Sequence, residues 1–196
     1  LADTYFGLSD AVQVTTYDGR AYLNATDARY DVIMVDAYQD ITIPFQMSSV
    51  EFFQLVQEHL TEDGVMVVNM NMHTEEDGNI NQYLSDTISA VFDTVYTVNV
   101  PHTTNRELFA TNSACSMEEQ KAFAEELSDP ELRTLVQTVL DSMTPYTSTG
   151  LLLTDDKAPV ELLGMRAIDA LIQDELGTYK KLFQEEGLTG LLEQLP

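Results

Sequence analysis

The fold of this chain is decided by residues 12–38, which read VQVTTYDGRAYLNATDARYDVIMVDAY. Two apolar runs in this stretch, residues 12–17 and residues 30–35, each lead directly into an aspartate, Asp18 and Asp36. The runs predict two β-strands, and the second is apolar enough to be covered on both faces. A parallel α/β sheet presents the carboxyl ends of its strands to the ligand. Both aspartates are therefore candidate site residues.

Predicted helices and strands alternate along the first hundred residues, which is typical of βαβ units and of a mainly parallel sheet. The last predicted strand, residues 107–111, can pair antiparallel with the strand before it, residues 94–100, and form an edge of the sheet. Two or three helices, broken near Gly177 and Gly187, end the chain. We expect one domain, with an α/β sheet core in residues 1–112 and a mostly helical part in residues 113–196. The further predicted strands are residues 65–69, 94–100 and 107–111, and the predicted helices before the last group are residues 20–25, 50–60, 80–91, 117–127 and 130–143.

Composition excludes several classes of function. The 196 residues carry a net charge of −24, which disfavours nucleic acid and anionic membranes and attracts cationic small molecules. A single cysteine and three histidines without zinc-like spacing predict no metal site. No apolar run reaches the roughly 18 residues that span a bilayer, and no leader opens the chain. We therefore expect a cytoplasmic protein without membrane contact.

The order of motifs resembles the spermidine synthase (polyamine aminopropyltransferase) family, a branch of the S-adenosylmethionine-dependent methyltransferase fold. The resemblance implies a Rossmann-like sheet and is strongest for bacterial spermidine synthase-like proteins, some of which carry membrane segments ahead of this domain. It covers most of the chain. The motifs are LADTYFGL (residues 1–8), YDGRAYL (17–23), YDVIMVDAY (30–38), IPFQMSSVEFFQLVQEHLTEDGVMVVN (43–69) and LLTDDKAPVELL (152–163).

The resemblance implies roles for the two strand-end motifs. Asp18 and Gly19 match the pair that holds the adenine of decarboxylated S-adenosylmethionine, the expected co-substrate. Asp36 matches the aspartate that accepts a proton from the attacking amine. Only the lone pair of a polyamine nitrogen can attack the aminopropyl carbon, so a carboxylate here can orient the amine and take its proton, without a metal. Residues alone leave simpler interpretations open: Asp18 can cap the following helix, and Asp36 can cap a loop.

The amine is expected to be a polyamine such as putrescine, held by the loop after Asp36 and by the motif near residue 155. The family reads Asp-x-x-Asp-Pro after its base, and here Gln39 stands in place of the second aspartate, with Asp40 next to it. Tyr38 either lines the pocket or packs beneath the loop. The remaining substrate-binding candidates are Asp155 and Asp156, of which the latter can instead be a helix N-cap.

One departure from the family concerns the donor site. In the family, a glycine-rich turn and two core strands come earlier in the sequence than the segment that matches Leu1. In the folded sheet, those two strands lie between the strands that end at Asp18 and Asp36. No G-x-G-x-G turn occurs in this sequence. We therefore expect a sheet truncated at its N-terminus and a chain that is inactive alone. Its open strand edge predicts a homodimer.

Three functions remain open at this point. The first is the aminopropyltransferase. The second is a non-catalytic polyamine-binding or assembly module, which fits the acidic charge and the missing glycine-rich turn. The third is a response-regulator-like receiver with Asp36 as the phosphoacceptor, although the lysine that a receiver needs at a later strand end is missing.

Overall fold

The computed structural model describes residues 5, 7–9, 11–37, 43–71 and 77–194, and in the last helix it describes only some side chains after residue 170. Six helices and five strands follow one another along this part of the chain, with a 3₁₀ turn at Phe45–Met47. The helices are α1 (Gly19–Ala25), α2 (Val50–Glu58), α3 (Ile80–Ser89), α4 (Met117–Glu125), α5 (Pro130–Ser142) and α6 (Val160–Gln194). The strands are β1 (Tyr30–Val35), β2 (Leu60–Met70), β3 (Thr94–Asn99), β4 (Arg106–Thr111) and β5 (Thr144–Pro145).

The strands form one mixed sheet in the order β1-β2-β4-β3-β5. Only β1 and β2 are parallel, whereas β4 runs antiparallel to both of its neighbours, β2 and β3. The expectation of a mainly parallel sheet is therefore wrong for the described residues. The reason is the short connection between β3 and β4, which permits a hairpin but no crossover helix. The expected pairing of β3 with β4 is confirmed, but β4 lies inside the sheet and not at its edge.

The predicted strand at residues 12–17 is not formed. This segment forms no regular secondary structure and has no ladder partner, and its large side chains Val12, Val14 and Tyr17 are 51%, 67% and 66% exposed. A strand is stabilised by hydrogen bonds to a neighbouring strand. Among the described residues, nothing fills the space between this segment and β1, so its β-propensity alone does not make it a strand.

Two other boundaries differ from the sequence predictions. The sequence Glu62-Asp63-Gly64 predicts a turn before the strand at residues 65–69, but these three residues lie within β2. There the register with β1 shifts between Tyr30 and Val32, and the chain bulges. A Cβ at Gly64 would lie 2.9 Å from the Cβ of Leu60, so the bulge requires glycine there. The final helix, α6, continues through Gly177 without the expected breaks, because a helix tolerates an isolated glycine at a cost of about 1 kcal/mol.

The hydrophobic core lies on one face of the sheet, under α2, α3 and the start of α6. The other face of β1 is open, with Val32 and Met34 exposed by 55% and 74%. The prediction that this strand is covered on both faces is thus wrong for the described residues. Side chains with almost no exposure are Phe52, Phe53, Val56, Met66, Val68, Met70, Leu84, Ile88, Leu108, Ala110, Leu153 and Val160.

Candidate functional site

An open cleft of about 500 Å³ lies between residues 13–17 and β1. We call it the β1 cleft. Gly19 and Asp36 both line it, so the structure brings these two predicted positions to one cavity. The hydroxyl groups of Tyr22 and Tyr30, which also line it, lie 3.2 Å apart. The full lining consists of Gln13, Thr15, Tyr17, Gly19, Tyr22, Leu23, Tyr30, Val32, Ile33, Met34, Val35, Asp36, Ala37, Met47 and Phe52.

Asp18 stands at the start of α1 as its N-cap. Its Oδ1 accepts a hydrogen bond of 2.8 Å from the backbone N–H of Ala21, which satisfies one of the amides that a helix leaves unpaired. The capping interpretation of Asp18 is therefore confirmed. Asp18 also fixes the beginning of α1, and with it the position of Gly19 beside the cleft.

Asp36 follows β1 at the edge of the sheet where β1 and β2 both end. The side-chain amide of Asn69, on β2, donates a hydrogen bond of 3.1 Å to Asp36 Oδ1. Asn69 is the register partner of Glu107 on β4, so Asp36, Asn69 and Glu107 form a row across three neighbouring strands. We call these three residues the acidic row.

Glu107 is half-buried, and no cation pairs with it within the described part of the chain. Burial raises the pKa of Glu107 above its ordinary value, and the negative charge of Asp36 raises it further. Sequence reasoning missed Glu107 and Asn69, because only the pairing of the strands places these two residues beside Asp36. The hint available in the sequence was the position of each at the same end of a predicted strand.

Asp155 is engaged by an arginine that sequence reasoning also missed. The guanidinium of Arg20 donates to both carboxylate oxygens, at 2.8 Å to Oδ1 and 2.7 Å to Oδ2. The hydroxyl of Ser49 donates to Oδ1 at 2.5 Å, and the backbone N–H of Asp155 donates to Glu51 Oε2 at 3.0 Å. Hydrogen bonds from Arg20 and then from Ser49 lower the pKa of Asp155, and the bond to Asp155 raises the pKa of Arg20.

The sequence Ser48-Ser49-Val50-Glu51 predicts a capping box that begins at Ser48, with the glutamate three positions later. In the structure, Ser49 caps helix α2 instead. Its Oγ accepts a hydrogen bond of 3.2 Å from the backbone N–H of Phe52. The glutamate of the predicted capping box, Glu51, instead holds the backbone of Asp155. Glu51 therefore bonds to a turn far away in the sequence, and not to the N-terminus of its own helix.

The remaining predicted substrate residues have no assigned contact. Asp156 is exposed in the turn that Thr154 and Lys157 close by two backbone hydrogen bonds, and α6 begins four residues after it, so Asp156 is not its N-cap. Tyr38, Gln39 and Asp40 lie outside the described residues. Their roles stay predictions.

A buried carboxylate, Asp86 on α3, holds the segment that leads to Asp155. It accepts hydrogen bonds from the hydroxyl of Tyr146 at 2.8 Å and the backbone N–H of Leu151 at 2.7 Å. Thr149 donates twice, from its N–H at 3.0 Å and its hydroxyl at 2.6 Å. Burial alone would raise the pKa of Asp86, but these four donors outweigh it and lower the pKa.

The described residues contain no group of three potential ligands that could hold a metal ion. Among the helices that the structure describes, none combines the length and the apolar character that a membrane span requires.

Two solved structures share the fold. One is human methyltransferase-like protein 13 in complex with SAH, with a TM-score of 0.53 and 25% identity, covering 76% of this chain and 68% of that one. The other is a probable spermidine synthase from Corynebacterium glutamicum ATCC 13032, with a TM-score of 0.51 and 21% identity, covering 74% of this chain and 59% of that one. The α/β sheet is thus of the methyltransferase type.

Sequence comparison is more specific. The chain is 49% identical over 209 aligned residues to a protein of Bifidobacterium longum (strain NCC 2705) named "Probable polyamine aminopropyl transferase". The alignment covers 98% of this chain but only 47% of that protein, so the chain spans about half the length of this relative. The profile of the spermine/spermidine synthase domain matches residues 6–124. The chain therefore belongs to the spermine/spermidine synthase family.

Proposed function

We propose that this chain is part of a polyamine aminopropyltransferase that uses decarboxylated S-adenosylmethionine as the donor and a polyamine such as putrescine as the acceptor. The observation that carries the proposal is Asp36, which stands at the carboxyl end of a parallel strand and lines an open cleft. Family membership and the name of the 49% identical relative support the same reaction.

The proposed chemistry is a single displacement. The lone pair of a neutral amine nitrogen attacks the aminopropyl carbon beside the sulfonium, and a carbon–nitrogen bond forms. The carbon–sulfur bond breaks, and its electron pair stays on sulfur to give a neutral thioether nucleoside. The proton that the nitrogen loses passes to the carboxylate of Asp36, which acts as general base. The hydrogen bond from Asn69 holds that carboxylate in place.

The acidic row is the proposed amine side of the site. Glu107 supplies a second carboxylate, two strands from Asp36 and so roughly 10 Å away at the backbone. A diamine carries a second, protonated nitrogen, and two carboxylates that repel each other are stabilised by a cation between them. Glu107 can thus take the role that the aspartate replaced by Gln39 has in the family.

The donor side is less complete. Asp18 caps α1, and Gly19, Tyr22 and Met47 offer a small and partly aromatic lining to the adenine. The sequence has no glycine-rich turn, and the cleft is open along β1. We therefore propose that the chain turns over only with further polypeptide present, and that its open β1 edge associates with a second copy.

We also propose that residues 1–112 and 113–196 act as one domain. Strand β5 of the second part pairs with β3 of the first. Leu153 and Val160 are buried in the same core as the sheet residues. Limited proteolysis tests this: one stable fragment is expected, and two fragments that stay folded apart would contradict it.

A chimera tests the function. This chain replaces the matching segment of the Bifidobacterium longum relative, and transfer from decarboxylated S-adenosylmethionine to putrescine is measured by mass spectrometry. We expect transfer by the chimera, none by the 196-residue chain alone, and a loss on the order of 10²-fold or more for Asp36→Asn, as is usual for a general base. The exposed Asp93→Asn serves as the control with the same charge change. Transfer unaffected by Asp36→Asn would refute the proposed role.

The net charge of −24 keeps one alternative in view, a module that binds polyamines without catalysis. Titration calorimetry on the chain alone, together with the chimera, separates the two. An inactive chimera, combined with a chain that binds spermidine but not methylthioadenosine, would favour the binding module. The hypothesis of a response-regulator-like receiver is wrong, because the strand order β1-β2-β4-β3-β5 differs from the 2-1-3-4-5 order of that fold.

A further inference from the structure

An ion pair joins residues that are 135 positions apart in the sequence. Arg20, in the first turn of α1, forms two parallel hydrogen bonds to Asp155, which lies just before α6. Arg20 also donates to the backbone carbonyl of Gln46 at 3.0 Å. Ser49 and Glu51 attach the same turn to the beginning of α2. We call Arg20 and Asp155, with these attachments, the clamp.

The clamp connects three elements that together form one wall of the β1 cleft. Helix α1 contributes Gly19 and Tyr22, the 3₁₀ turn contributes Met47, and α2 contributes Phe52. These side chains are small, aromatic or apolar, so the wall suits the flat base of a nucleoside better than a polycation. Outside the clamp, a hydrogen bond of 2.9 Å between the His59 ring and the Thr26 carbonyl joins the C-terminal ends of α1 and α2. Helix α1 is only seven residues long and has a single buried side chain, Leu23, so the clamp is what holds its N-terminal end.

We infer that Arg20 and Asp155 are positioning residues of the donor site, which hold this wall in the geometry that receives the nucleoside. The inference rests on the proposed function, and it changes the role that the sequence suggested for Asp155. Oδ1 of Asp155 accepts from Arg20 and Ser49, and Oδ2 accepts from Arg20, so the charge of Asp155 is already compensated within the fold.

The exposure of the pair determines which kind of effect to expect. The side chains of Arg20 and Asp155 are 22% and 42% exposed, so solvent screens their attraction and the pair adds little to global stability. A bidentate pair nevertheless fixes direction as well as distance. Its loss should therefore be seen in the binding of the donor more than in the melting temperature.

The test uses the chimera and the 196-residue chain in parallel. In the chimera, we expect Asp155→Asn to raise the KM for decarboxylated S-adenosylmethionine on the order of tenfold, because a misplaced wall weakens substrate positioning. The KM for putrescine should stay unchanged. Arg20→Gln should have the same effect, and the double variant no larger one, because both changes break one interaction. The exposed Asp93→Asn, which makes the same charge change at a residue that does not line the cleft, is the control.

Each result decides between the alternatives. A rise in the KM for putrescine with an unchanged KM for the donor would overturn the inference and make Asp155 an amine ligand. Equal donor KM values for Asp155→Asn and the control Asp93→Asn would also overturn it. If the unsubstituted chimera shows no transfer, the proposed function fails, and hydrogen exchange on the chain alone still tests the clamp. Faster exchange of amides 19–23 and 46–52 in Asp155→Asn than in Asp93→Asn supports it, and equal rates overturn it.

Discussion

Replacing Asp86 by asparagine should destabilise this chain more than any other isosteric change of a carboxylate in the described residues. Asp86 has no exposed surface, and its two oxygens accept four hydrogen bonds from the segment at residues 146–151. An asparagine keeps one oxygen and places an amide group where the other was. That amide group then faces donors, either Leu151 N–H and the Thr149 hydroxyl or Thr149 N–H and the Tyr146 hydroxyl.

The magnitude follows from the bonds that are lost. Two of four charge-assisted hydrogen bonds disappear, and each is worth about 1.5–3 kcal/mol. At least one backbone N–H, that of Thr149 or that of Leu151, is left without its acceptor. We therefore expect Asp86→Asn to lower the free energy of unfolding by about 3–5 kcal/mol, out of a total of about 5–15 kcal/mol for a domain.

The assay is urea unfolding followed by far-ultraviolet circular dichroism, because the chain has no tryptophan. For a chain of this size, the expected change corresponds to a fall in Tm of roughly 6–20 °C. Asp93→Asn, at an exposed position, controls for the loss of one charge. A change below about 1 kcal/mol, equal to that of the control, would show that the four bonds do not stabilise the folded chain.

The pH dependence gives an independent check of the same residue. The folded chain lowers the pKa of Asp86, so the unfolded chain takes up this proton more readily. The stabilisation is present above the unfolded pKa of about 3.9 and is lost as the pH falls through the folded value. The difference in stability between the wild type and Asp86→Asn should therefore narrow below about pH 4.

Three further predictions concern single side chains. Burial, followed by the hydrogen bond to a carboxylate, raises the pKa of Tyr146. At neutral pH, the wild type should be about 1 kcal/mol more stable than Tyr146→Phe. This difference in stability should shrink above about pH 10, as urea titrations at several pH values can show. Ser49→Ala removes the cap bond to Phe52 and should cost about 1 kcal/mol in the same assay, and a neutral result would contradict the cap. In the chimera, Glu107→Gln should raise the KM for putrescine about tenfold and leave the KM for the donor unchanged. The exposed Glu118→Gln is the control. An unchanged KM for putrescine would exclude Glu107 from the amine side of the site.

Local sequence signals predicted those elements whose stability is decided locally. The bounds of β1 agree with the prediction to the residue, and α1, β3 and α5 agree to within one residue. In each case a cap, a proline or an apolar run marks the ends within the element itself. Helix α5, for example, begins at Pro130 behind the cap Asp129, both of which are visible in the sequence.

The failures share a different cause, because each depends on what lies beside an element in space. Residues 12–17 have the composition of a strand but no neighbour to pair with among the described residues. Strand β4 was recognised, yet its place between β2 and β3 follows from a non-local pairing that no short pattern encodes. Ser48 and Ser49 are adjacent and chemically alike, and the choice between them as cap was made by contacts with a turn more than a hundred residues away.

The same reasoning explains why counting carboxylates does not find the site in a chain with 33 acidic residues. Asp18, Asp86 and Asp155 each accept hydrogen bonds from backbone amides or from a guanidinium, so their charges are compensated within the fold. Asp36 and Glu107 differ, because the group that donates to Asp36 is a neutral amide and the charge that raises the pKa of Glu107 is that of another carboxylate. Folding alone gains nothing from bringing two like charges together. A cation that arrives from outside the chain would relieve this repulsion, and this is the physical ground on which we propose a protonated polyamine as the ligand.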